Sequence, residues 1–196
     1  MGELKIISGK YKRHKIRTPG EDTHPMGERE RNALFNMLGG AVKKAVVMDL
    51  YAGSGALGIE AISRGAKECL FVEESHVAMH TIVENCMSLD IPEEKVAFYR
   101  GSVSAFYKKF RNPNAIALDA RMAENFAAFP DEYDIIFADP PYDDFNAKEI
   151  NRVAKLLSDN GYLVLSHPDE APELVGLTLD RTEQYAGAHI SIYSKD

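Results

Sequence analysis

From Ala45 onward, short apolar runs alternate with stretches whose apolar residues recur every three or four positions. The runs fall at 45–51, 69–73, 95–100, 134–139 and 161–166, each ending in a polar or acidic residue. Runs of this kind, separated by helical stretches, predict a parallel sheet wound by βα units, with the C-terminal ends of its strands along one edge. "GALGIEAISRG" supplies the first crossover helix, ended by Gly65. "SHVAMHTIVENCMSL" supplies the second, with Val77, Ile82, Val83 and Cys86 expected to face inward. "GLTLDRTEQYAG" and "AHISIYSKD" predict two further strands, a hairpin turning at Ala186-Gly187. The expected architecture is α/β, with a Rossmann-like, seven-stranded, mostly parallel sheet and a C-terminal antiparallel hairpin.

Before this region, "LKIISGKYKRHKIRT" alternates loosely around Gly9 and predicts a small hairpin. The turn-rich "PGEDTHPMG" and a helix over "ERERNALFNML" follow, with Ala33, Leu34, Met37 and Leu38 on one face and Gly39-Gly40 closing it. The chain thus divides into a basic hairpin and helix at 1–40 and an α/β domain at 41–196. Residues 103–130 form a long, partly helical connection to which the sequence assigns no function. There is no internal repeat and no low-complexity segment.

Charge sharpens the division. The net charge of −7 over 196 residues argues against a generic nucleic-acid binder, but Lys5, Lys10, Lys12, Arg13, Lys15 and Arg17 cluster with His14 and no acid between them. Taken alone, such an arm is better explained as a solvated strand edge defended by lysines. No apolar run approaches a membrane span, and the first ten residues lack the apolar stretch of a secretory signal, so the expected location is cytoplasmic. Cys69 and Cys86 lie in apolar surroundings without CxxC spacing and are expected to be buried free thiols.

The chemistry begins at "DLYAGSGALG". Gly53, Gly55 and Gly58 have the spacing of a nucleotide loop, which lets the backbone turn tightly and brings a helix N-terminus close to a ligand. In a dinucleotide site that terminus meets a pyrophosphate, and Asp49, four residues before the first glycine, would repel it. An acid there suits S-adenosylmethionine, which carries a cationic amino group and sulfonium and no phosphate. Glu73, twenty residues beyond Gly53 at the end of the next strand, is placed to accept ribose hydroxyls of either ligand.

"DIIFADPPY" adds Asp139, Pro140, Pro141 and Tyr142 at the same edge. Two prolines stop the strand in a stiff turn and present carbonyls without competing N–H donors. A carboxylate, a carbonyl and an aromatic face suit a planar amine. Hydrogen bonds accepted by Asp139 and by the Pro140 carbonyl favour a more tetrahedral nitrogen with its lone pair free to attack a methyl group. Tyr142 is placed to stack on an extruded base, a contact worth about 1–3 kcal/mol.

With both motifs in place, the chain resembles class I S-adenosylmethionine-dependent methyltransferases that carry the (D/N)PP(Y/F) signature. "LKIISGKYKRHKIRTP", "HPMGERERNALFNML", "DLYAGSGALGIEAISRGA", "FVEES", "DIIFADPPY" and "YAGAHISIYSK" resemble, in order and spacing and over nearly the whole chain, the RsmD family of bacterial 16S rRNA guanine-N2 methyltransferases. The resemblance implies S-adenosyl-L-methionine as cofactor, with Asp49, Ala52, Gly53 and Gly55 at its methionine end and Glu73 at its ribose. Ser102 falls where the family places a residue near the adenine, commonly Asp or Asn, and Val103 supplies backbone there. Asp139 to Tyr142 match the active-site motif without departure. The partner it implies is 16S rRNA, within a small ribosomal subunit or its assembly intermediates, bound through Lys10, Lys12, Arg13, Arg17 and Arg29. The family opens its helix with R-P-T-x-D-R. This chain reads His24-Pro25-Met26-Gly27-Glu28-Arg29 and lacks that arginine and threonine.

The motifs leave rivals open: methylation of adenine N6 in DNA or RNA or of a protein glutamine, an NAD-dependent oxidoreductase, and a non-catalytic RNA-binding protein. His76 and His80 have metal-pair spacing but no third ligand, so no metal is expected. His167 and Tyr185 read as structural.

Overall fold

The computed structural model describes residues 2–20, 26–110, 130–185 and 188–195. Two short strands, β1 (Glu3–Lys5) and β2 (Lys15–Arg17), pair antiparallel with Glu3 opposite Arg17. Helix α1 (Glu28–Leu38) follows, then β3 (Val46–Leu50), α2 (Ala56–Ser63), β4 (Glu68–Glu73), α3 (His76–Ser88), β5 (Val96–Arg100) and α4 (Val103–Phe110). After residues 111–129, where most of the expected long connection lies outside the described residues, come β6 (Tyr133–Ala138), α5 (Ala147–Val153), β7 (Leu157–His167), β8 (Thr178–Tyr185) and β9 (Ala188–Ser194).

The seven strands β3 to β9 form one sheet in the order β5-β4-β3-β6-β7-β9-β8. Neighbours among β3 to β7 run parallel, and β9 enters antiparallel between β7 and β8. The sheet's central strands β3, β4 and β6 and the second half of β7 are buried on both faces, which is why they read as continuous apolar runs, while the edge strand β8 is largely exposed. Val47, Cys69, Phe71, Ile135 and Phe137 face α1, α2, α3 and the hairpin, while Met48, Leu50, Leu70, Val72 and Ile136 face α4 and α5. Among the described residues, no helix is long and apolar enough to cross a membrane.

The N-terminal hairpin is fastened by polar side chains that apolar patterning does not reveal. Glu60 of α2, fully buried, accepts from the N–H groups of Ile7 (2.7 Å) and Ser8 (3.0 Å) and from Arg64 Nε (2.7 Å). Ser63 Oγ accepts from Tyr11 N–H, and the Ser63 carbonyl from Lys10 N–H. At the other end, Asn85 of α3 accepts from Arg17 N–H at 2.8 Å and donates to the Arg17 carbonyl at 2.9 Å. Gly9 turns at the Glu60–Ser63 end with φ 81, and a Cβ there would lie 1.8 Å from the Ser63 carbonyl oxygen. That carbonyl is helix backbone and cannot yield, so the arm lies tightly along α2.

Two helix faces differ from the apolar pattern. On α1 the buried stripe is Arg31, Leu34, Phe35 and Leu38, with Ala33 and Met37 half-buried at its edge. The charge of Arg31 disguises an i, i+3, i+4, i+7 repeat. On α3, Ala78, Met79, Thr81, Ile82, Asn85 and Cys86 face inward, Val83 is half-buried, and Val77 is 60% exposed. The need to bring Asn85 against the arm turns this helix, leaving Val77 on the wall of the cleft described next.

Candidate active site

The chain leaves β3 toward β4 on one side of the sheet and returns in β6 on the other, so β3 and β6 flank a switch point where a crevice opens at the carboxyl edge. A cleft of about 1260 Å³ lies there. The ends of β3, β4, β6 and β7 line it, with the start of α4, Pro19 and Gly20 after the arm, Gly27 at the N-cap of α1, and Glu30 and Arg31 within that helix.

The first wall is the loop after β3. Ala52 N–H donates to the Val72 carbonyl, Gly55 N–H to the Ala52 carbonyl, and Gly53 and Gly55 turn at φ 54 and 76. Gly58 serves packing. A Cβ on it would come 2.4 Å from the Phe71 ring and 2.6 Å from Cys69 Sγ, so glycine lets α2 seat against β4. Its N–H donates to Asp49 Oδ2 at 2.8 Å, which fixes the carboxylate at the mouth of the helix.

Asp49, Glu73 and Asp139 are among the acidic residues that line this cleft. Asp49 is 2% exposed, and burial holds its carboxyl well above the usual range, against the lowering effect of the Gly58 N–H. The charges of Asp139 and Glu73 push in the same direction as burial. Glu73 Oε2 accepts from Gly53 N–H and Oε1 from Ser75 N–H, both at 2.8 Å, leaving each oxygen a lone pair for a hydroxyl. Acids gathered without a paired base around Asp49 would be relieved by a cationic ligand and repel a pyrophosphate. That charge pattern fits the ammonium and sulfonium of S-adenosylmethionine. Ser102 and Val103 line the far end, where Ser102 Oγ caps α4 by accepting from Ala105 N–H at 3.2 Å.

The second wall is Asp139 to Tyr142, where β6 ends and a 3-10 turn begins at Tyr142. Burial raises the Asp139 carboxyl, and a hydrogen bond from Ser166 offsets part of the rise. The Tyr142 ring stays partly exposed, its hydroxyl 2.9 Å from Ser166 Oγ, and burial raises its ionisation too. Ser166, buried at the end of β7, thereby ties the acid to the aromatic ring. Sequence reading missed it, although "LSHP" ends a predicted strand at the edge where the site lies. Tyr51 and Glu149, joined by a 2.6 Å hydrogen bond on the same wall, were equally hidden because their partnership spans β3 and α5.

The expected nucleic-acid residues spread more widely. Lys10, Lys12 and Arg13 are exposed at the hairpin tip, beside the C-terminus of α2 and so at the end of that helix away from the cleft. Arg17 lies near the cleft, 3.6 Å from Glu84, and Arg29 is exposed on the first turn of α1, within electrostatic reach of Tyr185. Of the α1 arginines it is Arg31 that reaches the cleft wall: fully buried, its Nη2 donates to the Lys5 carbonyl at 3.0 Å, while its Nε and Nη1 have no hydrogen-bond partner. His24 and Pro25 lie outside the described residues.

His167 is satisfied structurally. Its Nε2 meets Ser191 Oγ at 2.8 Å and its Nδ1 the Asp169 carbonyl at 2.9 Å, while burial lowers its basicity. Tyr185 packs on the core at the cleft rim, Cys69 and Cys86 are buried free thiols, and His80 is exposed beside Glu84.

The profile of a family described as conserved hypothetical protein 95 matches residues 4–194. YlbH of Bacillus subtilis is 31% identical over 98% of this chain and 99% of its own length. A Haemophilus influenzae protein named ribosomal RNA small subunit methyltransferase D is 29% identical over 83% of this chain and 74% of its own. Among solved structures, Escherichia coli yhhF superposes with a TM-score of 0.82 at 22% identity, covering 100% of this chain and 99% of that one. The fold is therefore that of the class I methyltransferases.

Proposed function

The chain belongs to the family described as conserved hypothetical protein 95, and from that premise we propose that it methylates the exocyclic N2 amino group of a guanine in 16S rRNA, with S-adenosylmethionine as donor. The observation that carries the reading is the meeting of Asp49, Glu73 and Asp139 in one cleft with the Pro140–Pro141–Tyr142 turn. The name of the Haemophilus influenzae relative supports rRNA of the small subunit as the substrate class.

The donor supplies an electrophilic methyl on sulfur, and the protein's part is positioning. Asp49 and the Gly53–Gly55 loop face the donor's cationic end, and Glu73 accepts from its ribose. Asp139 and the Pro140 carbonyl accept the two amino hydrogens of the base, aligning the nitrogen lone pair, and Tyr142 stacks on the ring. Asp139 must be ionised to take up the proton released after transfer, and its charge strengthens the hydrogen bond that it accepts from the amine.

Ser166 acts through both Asp139 and Tyr142. Ser166→Ala is expected to lower kcat about tenfold, the equivalent of roughly 1.4 kcal/mol, with donor KM unchanged. Losing a hydrogen bond to the ionised form raises the Asp139 pKa, so the acid limb of the pH–rate profile should move to higher pH. An unmoved acid limb would reduce Ser166 to a packing residue.

The substrate class is tested by offering labelled donor to unmethylated small subunits, naked 16S rRNA, duplex DNA and protein. Label confined to the ribosomal samples supports the proposal. Label in DNA or protein alone moves the activity to adenine N6 or glutamine, chemistry the same four-residue motif can serve.

A further inference from the structure

At the end of the sheet opposite the cleft, three separate segments bring cations together around the C-terminus of α2. The hairpin tip supplies Lys10, Lys12 and Arg13, the turn into β3 supplies Lys43 and Lys44, and the turn into β4 supplies Lys67, all exposed. Backbone hydrogen bonds fix their proximity. Lys10 N–H donates to the Ser63 carbonyl, Lys44 N–H to the Gly65 carbonyl and Lys67 N–H to the Ala45 carbonyl, each at 2.8 Å.

Exposed acids stand at the same end of the sheet, Glu93 and Glu94 before β5 and Asp131 and Glu132 before β6, but among the described residues none of these four forms an ion pair with the cations. Glu60 is buried and engaged with Arg64, and Glu68 meets Lys67 at 2.9 Å in an exposed pair that contributes little and leaves the lysine available. Asp134, toward β6, accepts from the Val46 N–H at 2.8 Å. Among the described residues, Lys10, Lys12, Arg13, Lys43 and Lys44 have no carboxylate within ion-pair distance. Cations do favour a helix C-terminus, but that effect fades beyond the last turn and does not call for three converging segments. Arg13 and Lys44 also occupy left-handed backbone, at φ 71 and 66, which glycine or asparagine would adopt at lower cost. A basic patch on a chain of net charge −7 is electrostatically suited to a polyanion.

We propose that this patch is a second RNA contact, remote from the cleft, which grips the phosphate backbone flanking the modified base. The inference rests on the reading of the chain as an rRNA methyltransferase and adds Lys43, Lys44 and Lys67 to its RNA-binding surface. The length fits. Helix α2 spans ~12 Å between cleft and patch, which one strand of a helical nucleic acid covers in about four nucleotides. The arm runs along that path from the patch to Pro19 and Gly20 at the cleft.

The test is a double variant, Lys43→Gln with Lys44→Asn, the asparagine chosen because it tolerates the left-handed backbone. Binding to a 16S rRNA fragment is measured across salt concentrations, with donor affinity and methyl transfer measured on the same preparations. The expected result is a salt slope flatter by about 2 and RNA affinity reduced about tenfold at low salt. Donor affinity and turnover at saturating RNA should match the wild type. A wild type that methylates rRNA beside a variant with unchanged slope and affinity overturns the patch alone. A wild type that neither binds nor methylates RNA overturns the rRNA reading and the patch together. Unchanged RNA binding with lost adsorption to phosphatidylserine vesicles would assign the patch to a membrane surface and overturn it as an RNA contact.

Discussion

Asp139→Ala should lower methyl transfer by roughly a thousandfold, about 4 kcal/mol of transition-state stabilisation, while donor affinity changes by less than about threefold. In the proposed function this carboxylate accepts a hydrogen of the target amine. Asp139 is half-buried on the cleft wall, and alanine leaves no side-chain acceptor at that position. Because Ser166 and the Gly58–Asp49 bond stand without Asp139, the fold and the donor end of the cleft should survive the substitution. Single-turnover transfer and donor titration on one preparation separate the two quantities. A loss confined to donor affinity would place Asp139 on the wrong side of the reaction.

The second large effect is at Asp49. Asp49→Asn keeps an oxygen for the Gly58 N–H and deletes the charge, so donor affinity should fall about ten- to a hundredfold. Stability should move the other way. Burial raises the folded-state pKa of Asp49 above its ordinary 3.8, so between that value and the raised one the folded state holds more protons than the unfolded state. The wild type therefore loses stability as pH rises through that window, and the asparagine variant lacks this component. Denaturant midpoints of the ligand-free proteins should favour the variant increasingly as pH rises from 3.8 through the raised pKa of Asp49, and bound donor should restore the wild type. A variant less stable than wild type at pH 7, or equal in donor affinity, would mean that Asp49 serves the glycine turn only.

Much of this architecture was legible because burial on both faces leaves a strong mark. The runs ending at Tyr51, Glu73, Arg100, Asp139 and Ser166 correspond to five parallel strands, and the sheet closes with the expected antiparallel pair. The carboxyl edge follows from that pattern, and with it the convergence of Asp49, Glu73 and Asp139. What stayed hidden were polar groups whose partners are distant in sequence. Glu60 fastening the arm, Ser166 between Asp139 and Tyr142, and Tyr51 on Glu149 make no local pattern. Arg31 was hidden differently, since a charged residue in a buried stripe breaks the apolar repeat by which the stripe is found. The outward turn of Val77 has the same origin, because Asn85 takes the inward place for its bond to Arg17.

The most direct test of the central claim is nucleoside analysis of 16S rRNA after incubation of unmethylated small subunits with the protein and labelled S-adenosylmethionine. The proposed function predicts label in N2-methylguanosine, absent from the Asp139→Ala reaction. Label in N6-methyladenosine, or none from a folded protein shown to bind the donor, would contradict the account.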